Sequence, residues 1–379
     1  MDFKLKEEQE LIRKMVREFA ESEVRPIAAE IDKNKRFPVE TVARLRELDL
    51  LGVPFPEKYG GAGADGLSFA IVVEELSRAC ASTGVIVSTH TALGTHPIFQ
   101  WGTEEQKKKY MVPLAKGEVL GAFCLTEAAA GTDAGAVQTT AVLHGDKYIL
   151  NGSKLFITNG GRAEFYIVMA MTDKSKGTKG ISAFIVAKSF PGFRVGQLEE
   201  KMGINASETR EIVFNNCEVP RENLLEGEGA GFKVAMNALD FGRIGIGAQA
   251  LGIAQAALEA SIAYSKERQQ FGRPISSFQG LQWMMADMAT RVQAARHMVY
   301  HAAWTKDSGA RFSTEAAMAK LYASEAAMWT TVKAVQIHGG HGYTKNYPVE
   351  RYMRDAKITE IYEGTSEVQR MVISGDILR

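Results

Sequence analysis

The chain has 379 residues, 45% hydrophobic and 24% charged, which fits a globular protein of two or three structural units. Its 45 basic residues balance 45 acidic ones, so no nucleic-acid or anionic-membrane partner is expected, since such partners call for a basic excess. Cys80, Cys124 and Cys217 are scattered and lack a CxxC spacing, which argues against a disulfide frame or zinc knuckle and for a reducing compartment.

The opening Met1 to Glu10 is charged and has no apolar signal core, and no run approaches the ~20 apolar residues of a membrane span. A cytoplasmic protein is expected, or a mitochondrial-matrix one if a transit peptide has been trimmed. Up to about Lys116, apolar residues recur at helical spacing, as in Leu11, Ile12, Met15, Val16 and Phe19, with a loop at Pro54, Pro56, Gly60, Gly61 and Gly63. Residues 1–120 read as a helical domain.

From Gly121 the period changes. Runs at Thr139–Leu143, Lys147–Leu150, Lys154–Thr158, Phe165–Ala170, Ile181–Val186 and Glu211–Phe214 are β-prone. Gly145-Asp146 and Asn151-Gly152 fall between runs as hairpin turns, so residues 121–226 predict a mainly antiparallel sheet. Residues 227–379 return to helical spacing over Arg243–Arg268, Leu281–Thr305, Glu315–Gln336 and Glu367–Leu378, a four-helix bundle. The fold class is α+β, ordered helix, sheet, helix.

Two glycine patterns imitate a dinucleotide fingerprint. Gly61 to Gly66 follows a Pro-punctuated loop and Gly245 to Ala250 lies inside a helical run, so neither follows the strand that such a fingerprint requires. His297 with His301, and His338 with His341, lack a third ligand and read as helix-surface or loop histidines.

Near the carboxyl end, Glu363 follows Ile361-Tyr362 and precedes Gly364-Thr365-Ser366-Glu367. A carboxylate desolvated by such neighbours becomes a base strong enough for a weak carbon acid. The plainer reading is a Glu near a helix start, with Gly364 as a bend and Thr365 or Ser366 as N-cap.

Phe123-Cys124-Leu125-Thr126-Glu127 through Thr132-Asp133, Leu155 to Gly161, Arg268 to Gly272, Gln336 to Gly340 and the Glu363 segment occur in one order along the chain. Together they resemble the flavin-dependent acyl-CoA dehydrogenases over essentially the whole length, the short-chain (butyryl-CoA) enzymes above all. The resemblance implies FAD, an acyl-CoA substrate, an electron-transfer flavoprotein as acceptor and a homotetramer. It implies Glu363 as the base taking the α proton, its backbone N–H helping to hold the thioester oxygen. It assigns Phe123, Leu125, Thr126, Thr132, Phe156 and Thr158 to the flavin, Thr365 and Glu367 to the same FAD, and Arg268, Phe271, Gln279, Gln336, Gly339 and Gly340 to the FAD of a neighbouring subunit. Thr132 also marks the mouth of the substrate site, Asp240 and Arg243 meet the CoA arm, and Gly364 approaches the acyl group. From spacing alone, Asp240 and Arg243 form an (i, i+3) surface pair worth ~0.2 to 0.5 kcal/mol.

Relatives with the base on a bundle helix carry it at the position of Gly242, and a glycine cannot serve. Thr83 lies near where a glutaryl-CoA enzyme places an arginine. Ala128 replaces a usual proline and Phe156 a frequent tryptophan. Branched short-chain substrates, a flavin oxidase on the same scaffold and a noncatalytic flavin-binding relative remain as alternatives.

Overall fold

The computed structural model describes residues 4–378; Met1 to Phe3, on which part of the leader reading falls, and Arg379 lie outside the described residues. Eight helices come first: α1 (Glu7–Phe19), α2 (Ala28–Lys33), α3 (Val39–Glu47), α4 (Gly66–Ala79), α5 (Ala81–Ser88), α6 (His96–Trp101), α7 (Glu104–Gln106) and α8 (Val112–Ala115). The start of α4 is set by side-chain chemistry. The Asp65 carboxylate caps α4 at the Ser68 N–H, and the Asp307 carboxylate accepts from the Gly66 and Leu67 N–H groups at 2.9 and 3.0 Å. The helix start beside the first glycine pattern is thus filled by the chain's own carboxylate.

Strands β1 (Leu120–Cys124), β2 (Thr140–His144), β3 (Lys147–Thr158), β4 (Ala163–Met171), β5 (Ile181–Ala187), β6 (Phe193–Leu198), β7 (Thr209–Pro220) and β8 (Leu224–Leu225) form one sheet in the order β6-β7-β3-β2-β4-β5-β8, with β1 on β4. Pairing is antiparallel except for β1 on β4 and one β2–β4 pair. Gly145-Asp146 is the predicted hairpin turn, with His144 opposite Lys147. Asn151-Gly152 is not a turn: β3 runs straight through it, and the register against β7 slips between Leu150 and Gly152. A partner strand that pairs with both halves turns a hairpin signal into a bulge. Strands β1, β6 and β8 were not anticipated.

Beyond the sheet lie α9 (Gly231–Glu267), the short hairpin β9 (Gln269–Gln270) and β10 (Arg273–Pro274), then α10 (Gln279–Asp307), α11 (Ser313–His338), α12 (Val349–Thr359) and α13 (Ser366–Ile377). The predicted bundle is present, with α12 as an unpredicted addition. Helix α9 starts well before Arg243 and, contrary to the sequence expectation, is long and apolar enough to cross a membrane. It is the core helix here, packed on by α4, α10, α11 and α12. The second glycine pattern serves that packing: a Cβ at Gly245 would lie 2.2 Å from Ser88 Oγ, and one at Gly247 would lie 3.1 Å from Val299 Cγ2 on α10.

Candidate active site

Between α12 and α13 the chain reverses through two left-handed residues, Glu363 (φ +53°) and Gly364 (φ +94°). The first conformation costs a non-glycine residue ~1–3 kcal/mol and persists only where neighbours impose it. They do so from three helices. The Tyr362 hydroxyl donates to Gln249 Oε1 on α9, and Gln249 Nε2 in turn donates to the Ala81 carbonyl at 3.0 Å. The Gly364 carbonyl accepts from Gln369 Nε2 on α13 at 2.8 Å and from Lys320 Nζ on α11 at 2.6 Å. Thr365 is the N-cap of α13, accepting from the Val368 N–H at 3.3 Å. The helix-start reading is thus met, with Gly364 as the bend and Thr365 as the N-cap.

The Glu363 carboxyl lies against Gly242 of α9. A Cβ at 242 would stand 2.0 Å from Glu363 Oε2 and 3.0 Å from Leu93 Cδ2. Oε2 is buried and has no hydrogen-bond partner among the described residues. Burial pushes the acid up to about 8, against the opposing pull of Lys320 and Arg243. Ile361 is 48% exposed, and Gly242 of α9 stands directly against the carboxyl, with Leu93 beside it. The Glu363 backbone N–H also donates to no group among the described residues, so a free donor and an unpartnered carboxyl oxygen sit on one residue.

Asp240 and Arg243 form the expected (i, i+3) pair, but not at the surface. Arg243 is 5% exposed and Asp240 also accepts from the Ser313 hydroxyl. Burial holds the Asp240 carboxyl above its usual range and draws the Arg243 guanidinium below its own. The spacing misled because α9 is enclosed on all sides, which leaves it no surface face at this point.

On the sheet side, Phe123 ends in the apolar cluster with Leu125, Leu93 and Ala238 of α9. The Leu155 N–H donates to the Thr126 carbonyl at 2.9 Å, joining the two predicted flavin segments. Phe156 has φ +59° and is 61% exposed, beside a register slip between Lys154 and Ile157 that re-aims it; Thr158 closes β3. Thr132 lies exposed in the loop between β1 and β2, and Glu367 is exposed in the first turn of α13. An exposed aromatic ring on a strained bulge, beside backbone groups at strand ends, suits a flat heteroaromatic ring.

The other predicted contacts are not brought here. Arg268 ends α9 about 39 Å along the helix from Gly242, at 1.5 Å per residue. Phe271 is 93% exposed at the β9–β10 hairpin and meets Phe278 edge-on; Gln279 begins α10. Gln336 lies in the last turn of α11 and Gly339 and Gly340 follow it, drawn to the same end of the bundle by His338, which stacks on Tyr264 of α9 at 4.2 Å. The side chains of Arg268, Gln279 and Gln336 are exposed and have no partner among the described residues. Within one chain this group cannot reach the Glu363 site.

Sequence reasoning missed Lys320, Gln249 and the buried pair Glu127–Lys154. Lys154 Nζ donates to Glu127 Oε1 at 2.7 Å and to the Leu125 carbonyl at 3.1 Å, while Glu127 accepts from the Gln138 and Thr139 N–H groups at 2.7 and 3.0 Å. A lone lysine or glutamine among helical alanines, or on a strand, reads as solvated, so only the fold exposes these roles.

Comparison with known proteins gives three consecutive family matches: acyl-CoA dehydrogenase N-terminal domain over residues 6–118, middle domain over 122–217 and C-terminal domain over 229–378. The chain is 61% identical to the short-chain specific acyl-CoA dehydrogenase of Clostridium acetobutylicum over 379 residues, 100% of both chains. It superposes on butyryl-CoA dehydrogenase from Megasphaera elsdenii with TM-score 0.99 at 51% identity, 100% of both chains covered. A chain solved in work on the electron transferring flavoprotein of Acidaminococcus fermentans and flavin-based electron bifurcation gives TM-score 0.99 at 57% identity, again covering both fully.

Proposed function

Since the chain belongs to the acyl-CoA dehydrogenase family, we propose that it is an FAD-dependent short-chain acyl-CoA dehydrogenase, converting butyryl-CoA to its trans-2-enoyl-CoA and passing electrons to an electron-transfer flavoprotein. One observation supports this most: a Glu363 carboxyl whose Oε2 is buried with no hydrogen-bond partner among the described residues, seated against a glycine and pushed up to about 8. A thioester α proton is weakly acidic, and a base with raised proton affinity abstracts it more readily than an ordinary carboxylate does.

Glu363 takes that proton. The negative charge then growing on the thioester oxygen is met by the free Glu363 backbone N–H. Bound FAD supplies the acceptor for the hydride leaving the β carbon. Leu125, Thr126, Phe156 and Thr158 hold its ring, with Phe123 behind them and Thr132 at the mouth; Thr365 and Glu367 hold the same cofactor. Arg268, Phe271, Gln279, Gln336, Gly339 and Gly340 serve the FAD of a neighbouring subunit, so the working unit is a homotetramer. Their exposure, lack of side-chain partners and distance along α9 support that assignment. Asp240 and Arg243 meet the CoA arm and Gly364 the acyl portion. The units are 1–120, 121–226 and 227–379. A cytoplasmic setting accords with three buried free thiols.

The test is an anaerobic visible spectrum titrated with butyryl-CoA, octanoyl-CoA and isobutyryl-CoA. Bleaching strongest with butyryl-CoA, followed by slow reoxidation in air, is expected. A yellow protein that no acyl-CoA bleaches refutes the activity, strongest bleaching by isobutyryl-CoA moves the substrate to a branched chain, and rapid reoxidation in air makes it an oxidase.

A further inference from the structure

Lys320 lies in the middle of α11 with no exposed surface, among Ala316, Ala317, Ala319 and Ala323. Buried lysines are nearly always ion-paired, because desolvating an ammonium costs several kcal/mol unless an opposite charge answers it. Lys320 has no ion pair among the described residues; its one hydrogen bond goes to the Gly364 carbonyl at 2.6 Å. That carbonyl is already served by Gln369 Nε2 at 2.8 Å, so satisfying it does not by itself require a cation. Nor does the adjoining N-terminus of α13 favour one, since the helix dipole there is positive.

The charged groups facing Lys320 explain its presence. They are Glu363 in the turn, Glu360 at the end of α12, Glu367 in the first turn of α13 and Arg243 on α9, itself tied to Asp240. Tyr362, the neighbour of Glu363, is occupied by Gln249. The base is the only one of the three carboxylates that is enclosed with an orphaned oxygen.

Resting on Glu363 as the base, we propose that Lys320 is a positioning residue for it: the ammonium clamps the left-handed Glu363–Gly364 turn through the Gly364 carbonyl and supplies a buried positive charge that favours the ionised form of the Glu363 carboxyl. Two contributions separate cleanly. The hydrogen bond fixes where the carboxylate and the Glu363 N–H stand; the charge sets how much carboxylate exists at a given pH. The mutual attraction works in both directions, opposing the desolvation that brings Lys320 down to about 8.

The experiment compares the parent holoenzyme with K320Q, which keeps a donor for Gly364 but no charge, and K320M, which keeps neither. The rate of anaerobic bleaching by butyryl-CoA is followed against pH, with FAD content and thermal midpoint measured alongside. Both variants should shift the acid limb of the profile upward by about one unit or more, the size expected from losing a nearby opposite charge. K320M alone should also lose about tenfold in its high-pH plateau as the turn loosens. An unmoved limb in K320Q overturns the proposal, even with a lower rate or thermal midpoint, since a merely structural lysine would give that result. Should K320M not fold, K320Q decides. A parent that butyryl-CoA fails to bleach would instead refute the function itself.

Discussion

Gly242→Ala is the smallest change that tests where the base stands. The new Cβ would lie 2.0 Å from Glu363 Oε2, whereas ordinary contact begins at 3.4 Å, so the carboxylate must retreat by about 1.4 Å. A displacement near 1 Å of a reacting group costs on the order of 100-fold in rate. Stability should change little, because alanine improves a helix interior by ~0.5–1 kcal/mol over glycine and the clashing atom is the end of a side chain able to swing. Stopped-flow bleaching by butyryl-CoA under anaerobic conditions reads the rate; FAD absorbance and the thermal midpoint read the fold. The expected result is a rate about 100-fold lower in a protein that retains its flavin and its melting point. A variant bleached at the parent rate would mean that the Glu363 carboxyl does not do its work against α9, and the assignment of the base would fall.

Glu363→Gln should reduce bleaching by about 10²–10⁴-fold, the range for removing a general base, while leaving FAD bound; undiminished bleaching would remove Glu363 from the mechanism. In the parent, the rate should climb as pH rises toward about 8 and level above it, because only the carboxylate accepts a proton. A flat profile from pH 6 to 9 refutes this. The same upward shift makes the folded state hold a proton that the unfolded chain releases in the ordinary carboxylate range, so this group's contribution to stability should fall with pH between that range and about 8, as a denaturation series would show. Lys154→Met strands Glu127 in the interior and should cost about 3–5 kcal/mol, with looser flavin retention because Leu125 loses its clamp; the double change Glu127→Gln with Lys154→Met should cost less, and a single variant as stable as the parent would contradict the buried pair. Arg268→Gln should leave the chain folded but raise FAD loss on dilution, measured by released-flavin fluorescence; unchanged retention would remove Arg268 from the cofactor site.

What could be read in advance depended on whether a residue's meaning is set by its neighbours in the chain or by its neighbours in space. Gly145-Asp146 and Asn151-Gly152 have the same turn chemistry, yet only the first reverses the chain, because β7 offers partners to both sides of the second: Leu150 faces Cys217 and Gly152 faces Phe214. The order of motifs was enough to single out Glu363, but not to say what enclosed it, and Ile361, the apolar neighbour in sequence, turned outward. Asp240 and Arg243 have the spacing of a solvated pair, and nothing local betrays that α9 has no solvated face there. Gly242 carries the reverse lesson. In the sequence it is a residue that cannot act; in the fold, its missing side chain is the space that the Glu363 carboxyl occupies, so the glycine and the glutamate, 121 positions apart in the numbering, are two halves of one arrangement. A substitution at either should therefore be felt at the other, and pairing Gly242→Ala with Glu363→Asp, whose shorter side chain withdraws the carboxylate from the new methyl, should cost less in rate than the product of the two single changes.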